Sequence, residues 1–194
     1  MNMAPLFCKP QTASDKILYS KFYDEINGTI EFRSLILKKD LQIIYQWVNM
    51  DYTLEYWQMN GHFSQLFAIY QCMELNPYSH SFIGLFNNKT ICQYDVYSVF
   101  ADELKEHIMT SPEECGFHLL MSPNQHQITG LTKHVVTSFL EYYFSFPEAK
   151  KMYAEPDVNN HKSITLLEKC GFEKVKTVQM SYKSAHIYCF KINS

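Results

Sequence analysis

KMYAEPDVNNHKSITLLEKCGF, residues 151–172, decides how the rest of the chain is read. Met152 to Glu155 is a short apolar run that reads as a strand, and Pro156-Asp157 turns the chain. Asn159 and Asn160 then suit the cap of a helix that stops at Gly171, directly after Cys170. Ile164, Leu167 and Cys170 recur at helical spacing, so one face of that helix is buried. A carboxylate is thereby left at a strand end beside a helix N-terminus, where unpaired N–H groups meet solvent and a ligand can approach. Open α/β sheets carry their ligands at such places.

Outward from this stretch, Gly116 to Met121 (GFHLLM) reads as a strand, followed by a polar loop and a long amphipathic helix over about 131–144. Before them, Ser79 to Phe86 and Thr90 to Phe100 flank Asn87-Asn88-Lys89, a hairpin signal between two β-rich runs. Thr29 to Leu37 alternates as a strand. Asp40 is placed to cap a helix with Leu41, Ile44, Tyr45 and Val48 on its apolar face, and a second helix over about 62–75 is stopped by Asn76-Pro77. The segment ADELKEHIMTSPEE reads as a loop with a helical turn. The chain closes with two strands, at 172–182 and 184–192. Residues 1–28 form an N-terminal arm with one candidate strand near Lys16 to Tyr23, and 29–194 form the main domain. The order β, α, α, β, β, β, α, β, α, β, β gives an α/β fold with a mixed sheet. Whether the last strand pairs within the chain or across a dimer stays open.

At 194 residues the chain can bury a sizeable core in one domain. Its formal net charge of −3 offers no attraction to nucleic acid or anionic membrane, and no apolar run approaches a spanning helix. The six cysteines are scattered without metal-ligand spacing. They read as reduced, small apolar residues of a cytoplasmic protein without a metal.

Four stretches carry a resemblance: FRSLILKKDLQIIYQWVN, EYWQMNG, CGFHLLM and AEPDVNNHKSITLLEKCGF. From about Phe32 to its end, the chain resembles the GNAT superfamily of acyl-CoA-dependent N-acyltransferases. Within it, the chain looks most like the siderophore-biosynthesis branch that acetylates N-hydroxylysine or an N-hydroxylated diamine. The resemblance implies a GNAT fold, a mixed central sheet whose parallel strands GFHLLM and KMYAEP splay apart, flanked by helices. It implies acetyl-CoA or another short acyl-CoA as co-substrate, a small-molecule amine or hydroxylamine as acceptor, and a monomer or homodimer.

His118 alone reads as a hydrogen-bonded core histidine or a site residue. The resemblance makes His118 and Asp157 the catalytic pair, since amine acylation needs a neutral nucleophile and a group to take up its proton. It makes Leu119, Leu120 and Met121 the main-chain contacts of the pantetheine arm. Gln125-His126-Gln127-Ile128-Thr129-Gly130 aligns with the pyrophosphate loop Q/R-x-x-G-x-G/A, with Ile128 at the first glycine. Gln125, Gln127, Ile128, Thr129, Gly130, Leu131 and Thr132 are the implied phosphate contacts. Asn160 matches a pantetheine-binding asparagine or simply caps the helix. Trp57 and Gln58 match the acceptor-site aromatic stretch, and Asp95 an acidic position that can hold a cationic acceptor end. The tyrosine that protonates the departing thiolate in many relatives would fall at Leu167, which cannot do so. Acylation of an aminoglycoside or polyamine, and a non-catalytic acyl-CoA-binding module, are the rival readings.

Overall fold

Asn87 and Asn88 take φ of 48° and 64°, a pair of left-handed residues that asparagine tolerates and that matches the twist of a tight hairpin. They join β3 (Ser79–Phe86) to β4 (Lys89–Ser98), the centre of an eight-stranded sheet. The computed structural model describes residues 5–123 and 128–192. The other strands are β1 (Tyr19–Tyr23), β2 (Gly28–Ser34), β5 (Cys115–Met121), β6 (Lys151–Ala154), β7 (Glu173–Gln179) and β8 (Ser184–Lys191). They lie in the order β1-β2-β3-β4-β5-β6-β8-β7. Every neighbouring pair is antiparallel except β5 and β6. The last strand therefore pairs within the chain, inserted between β6 and β7.

The helices are α1 (Leu37–Val48), the short α2 (Asp51–Leu54), α3 (Phe63–Leu75), α4 (Leu131–Tyr143) and α5 (His161–Lys169). Strand alternation splits the apolar side chains between two layers. Phe32, Phe82, Tyr94, Val96 and Phe117 join Val135, Phe139 and Tyr143 of α4 and Leu167 of α5 in the main core. Tyr94 stacks on Phe139 with ring centroids 4.0 Å apart. On the other layer Ile83, Leu85 and Leu120 meet Leu41, Ile44 and Val48 of α1 and Leu66 and Tyr70 of α3. Leu6 and Cys8 are buried in the main core and β1 forms the sheet edge, so the described part of the N-terminal arm packs against the same body. Among the described residues, no helix is long and apolar enough to cross a membrane.

Asp40 corrects the capping expectation. Ile36 occupies the N-cap position of α1, and the Asp40 carboxylate, inside the first turn, reaches back to the Ile36 N–H at 2.8 Å. It also accepts two bonds from the Arg33 guanidinium, at 2.6 and 2.7 Å, with both residues buried. This paired charge fixes the β2–α1 junction. Arg33→Ala leaves Asp40 buried without its counter-ion and is expected to cost about 3–5 kcal/mol of unfolding free energy. Urea denaturation of the two proteins measures it, and a loss under about 1 kcal/mol, the range of a surface pair, would contradict this role.

Candidate active site

β5 and β6 pair at Cys115↔Met152 and Gly116↔Tyr153, and no register pair follows. On its other edge β5 stays in ladder with β4 to Met121, and the Ser122 N–H continues to the Ile91 carbonyl. By strand alternation, the main-chain groups of Leu119 and Met121 face the widening gap. The Met121 carbonyl accepts a bond from the Tyr52 hydroxyl at 2.7 Å. Tyr56 donates across the gap to the Asn159 carbonyl at 3.2 Å. The segment between α1 and α3 thus straps the mouth of the cleft between β5 and β6.

The same alternation that buries Phe117 in the main core turns His118 toward α1 and α3. It sits opposite Asp95 in the β4–β5 register, with the Trp57 ring edge-on at 6.3 Å and the Tyr97 ring at 5.1 Å. Its Nε2 lies 2.6 Å from Oε1 of Glu155, the residue directly after β6. The Tyr97 hydroxyl donates to the other carboxylate oxygen at 2.6 Å, and Lys183 Nζ lies 3.7 Å from Oε1. Tyr97 can lie against β5 because residue 116 is glycine: a Cβ there would sit 2.3 Å from its ring. The Glu155 side chain is 2% exposed and that of His118 42%, so a buried carboxylate backs an imidazole that reaches solvent.

These contacts set the charges. Burial pushes the Glu155 carboxyl up, but His118, Lys183 and Tyr97 pull it down to about 2, so it stays ionised. Burial pushes the His118 imidazole down, and the charge and hydrogen bond of Glu155 outweigh it, leaving a net rise above its ordinary 6.5. An ionised carboxylate only accepts, so Nε2 carries the hydrogen and the neutral imidazole keeps a lone pair on Nδ1. Asp95 is raised by burial, against bonds from Ser81 (2.5 Å), Gln93 and Tyr70 (3.4 Å).

A family model described as "Acetyltransferase (GNAT) domain" matches residues 37–180. The chain belongs to the GNAT acetyltransferases. It is 23% identical over 170 residues to the N-hydroxyputrescine acetyltransferase of Acinetobacter baumannii, covering 87% of this chain and 81% of that protein. An uncharacterised protein from Bacillus halodurans superposes with a TM-score of 0.84 at 21% identity, over 98% of this chain and 92% of that one. Aminoglycoside acetyltransferase AAC(6')-Ib, solved in complex with coenzyme A, gives 0.74 at 22% identity, over 84% and 94%. These likenesses agree with the splayed β5 and β6, and the chain is a GNAT acyl-CoA N-acetyltransferase.

Within this GNAT fold the expected residues fall as follows. The carboxylate bonded to His118 is Glu155, and Asp157 was expected to face it. Pro156 ends the strand, and the Asp157 carboxylate turns to the entry of α5, accepting the Asn159 N–H at 2.8 Å. Asn160 caps α5, its side chain accepting the Ser163 N–H at 3.1 Å. Trp57 reaches the site and buries its indole Nε1 with no hydrogen-bond partner among the described residues, whereas Gln58 is exposed with φ of 53°. Leu120 points into the α1–α3 core. Gln125 and Gln127 lie outside the described residues. Ile128, at the first glycine position of the loop, packs on the main core. Gly130 takes φ of 81° at the head of α4, where a side chain would be strained; Thr129 is exposed, Leu131 buried and Thr132 half-buried.

Glu155, Tyr97 and Lys183 were not singled out from sequence. Glu155 ends an apolar strand before a proline, and Tyr97 shares a strand face with Asp95 at a spacing of two; both are usable signals. Lys183, a turn lysine, carries none. Glu155→Gln removes the charge that holds His118 up, so its ring is expected to titrate lower than in the wild type, followed by NMR of the imidazole protons. An unmoved midpoint would contradict the pairing.

Proposed function

We propose that this enzyme is a cytoplasmic acetyltransferase of hydroxamate siderophore assembly, moving an acetyl or other short acyl group from CoA to an N-hydroxylated lysine or diamine, or to its parent amine. The observation that carries the reading is the His118–Glu155 pair at the mouth of the β5–β6 cleft. The acceptor nitrogen attacks the thioester carbonyl; the N–C bond forms, the C–S bond breaks, and the nitrogen's proton passes to Nδ1 of His118. Glu155 stabilises the imidazolium that results. An N-hydroxylated amine is less basic than an alkylamine and is neutral near pH 7, so positioning counts for more than deprotonation.

Asp157, beside the cleft, serves as an orienting carboxylate for the acceptor, and Asp95, Trp57 and Gln58 as its further contacts. Acyl-CoA fits the cleft through the main-chain groups of Leu119 and Met121, through Asn160, and through the N-terminus of α4 at Gly130, Leu131 and Thr132, with Gln125 and Gln127 beyond the described residues. Leu167 is buried and supplies no proton to the thiolate, whose ordinary pKa of about 8.5 makes it a tolerable leaving group. Transfer is direct, in a ternary complex. Burial pushes the Cys115 thiol to about 12 and that of Cys170 to about 11, which disfavours the thiolate that a covalent acyl carrier needs. The N-hydroxyputrescine acetyltransferase relative supports the acceptor class, while the likeness to AAC(6')-Ib keeps an aminoglycoside as the second reading.

The test is CoA release from acetyl-CoA, followed with a thiol reagent. The acceptors are N6-hydroxylysine, N-hydroxycadaverine, N-hydroxyputrescine, their parent amines and one aminoglycoside. Turnover is expected with the hydroxylated amines; turnover confined to the aminoglycoside would replace this reading with the second. His118→Ala is expected to lower kcat by roughly 10²–10⁴-fold, and Asp157→Asn to lose turnover, with acetyl-CoA still raising Tm in both. Normal turnover in both variants would overturn the mechanism.

A further inference from the structure

We propose that Lys183 is a positioning residue for acyl transfer, a clamp from the β7–β8 turn that holds Glu155 by its main chain and faces its carboxylate. Its Nζ donates to the Glu155 main-chain carbonyl at 2.5 Å and lies 3.7 Å from the carboxylate oxygen that binds His118. The named ladder of β6 ends at Ala154, so this carbonyl lies just past the last register pair, next to the Pro156 carbonyl that accepts the His186 N–H of β8. A lysine at a hairpin tip ordinarily extends into water, keeping its side-chain entropy. Here the side chain is 16% exposed, with its ammonium 5.1 Å from the Tyr182 ring centroid.

The turn is itself tied down. Met180 N–H donates to the Lys183 carbonyl at 2.8 Å, and the Glu103 carboxylate accepts both the N–H and the hydroxyl of Ser181, at 2.6 and 2.7 Å. Glu103 belongs to the 3₁₀ turn Glu103–Glu106, far from β8 in sequence. Two segments thus cooperate to present one ammonium to the back of the catalytic pair.

The consequence is a balance of charge on His118. The groups around it are Glu155 beyond β6, Lys183 and Tyr182 from the β7–β8 turn, Asp95 and Tyr97 from β4, and Asp102 before the 3₁₀ turn. Glu155 and Asp95 favour the imidazolium, whereas Lys183 opposes it. Glu155 alone, buried and ionised, would hold more of the imidazole protonated at neutral pH and deplete the base. Lys183 offsets that pull while keeping the carboxylate in place. The role rests on the proposed acyl transfer, but its test need not.

Titration of the His118 ring by NMR, assigned with His118→Gln, is compared in wild type, Lys183→Met and Lys183→Arg. No substrate is required. Lys183→Met is expected to move the midpoint upward, opposite to the loss of Glu155, and Lys183→Arg to return it. In turnover, Lys183→Met is expected to lower kcat on the order of tenfold to a hundredfold with the acetyl-CoA KM unchanged, because the base is misplaced and more often occupied. Glu103→Ala, which frees the turn without touching the pair, is expected to give a smaller upward movement and keeps the test available if Lys183→Met does not fold. A midpoint that stays or falls in Lys183→Met, or an equal kcat loss in Lys183→Arg, would overturn the role. Absence of CoA release by wild type with every acceptor would count against the proposed function alone.

Discussion

Two parallel strands that hydrogen-bond over two register pairs and then part are a costly feature in a sheet, because each buried N–H and C=O left behind must find another partner. β5 and β6 meet that demand from outside the sheet. The strap between α1 and α3 sends Tyr52 to the Met121 carbonyl and Tyr56 to the Asn159 carbonyl. The Lys183 ammonium takes the Glu155 carbonyl where β6 ends. Three carbonyls along the separation thereby find side-chain donors, two tyrosines and a lysine. A ligand with amide and carbonyl groups meets a cleft already provided with donors and acceptors.

The same geometry dictates the chemistry. Because β5 keeps its ladder with β4, the alternation of Phe117, His118 and Leu119 is fixed, and His118 must leave the main core on the α1–α3 side. Because Met152 and Ala154 of β6 face the main core, alternation puts Glu155, the next residue, on the opposite face with His118. A carboxylate this deeply buried is stable only when paired and hydrogen-bonded. His118, Tyr97 and Lys183 supply the partners, and the imidazole gains a fixed tautomer and a higher proton affinity in return. Gly116 belongs to the same arrangement, since Tyr97 occupies the space its side chain would fill.

The parts of this arrangement legible in the sequence are those governed by local chemistry. Asn87-Asn88 announced its hairpin because left-handed backbone selects asparagine. The strand–Pro–helix pattern of residues 151–172 announced the end of β6 and the start of α5. His118 stood out as a polar residue inside an apolar strand. The choice between Glu155 and Asp157 was not local. Both follow the same strand, and only the Pro156 corner, closed by the Asp157 bond to the Asn159 N–H, separates their directions. Asp40 misled for a similar reason: a helix-starting aspartate looks like a cap until a buried arginine on the preceding strand claims it. Lys183 was invisible because its partners lie 28 residues away in sequence and meet it only once β8 has inserted beside β6.

The central claim is that His118, backed by Glu155, takes the acceptor's proton during acyl transfer. The most direct measurement is the pH profile of kcat at saturating acetyl-CoA and acceptor, for wild type and His118→Gln. The account predicts an acid limb above pH 6.5 in wild type, following the raised imidazole, and the disappearance of that limb in the residual activity of the variant. Profiles that superimpose after scaling, with the limb at the same pH in both proteins, would contradict it.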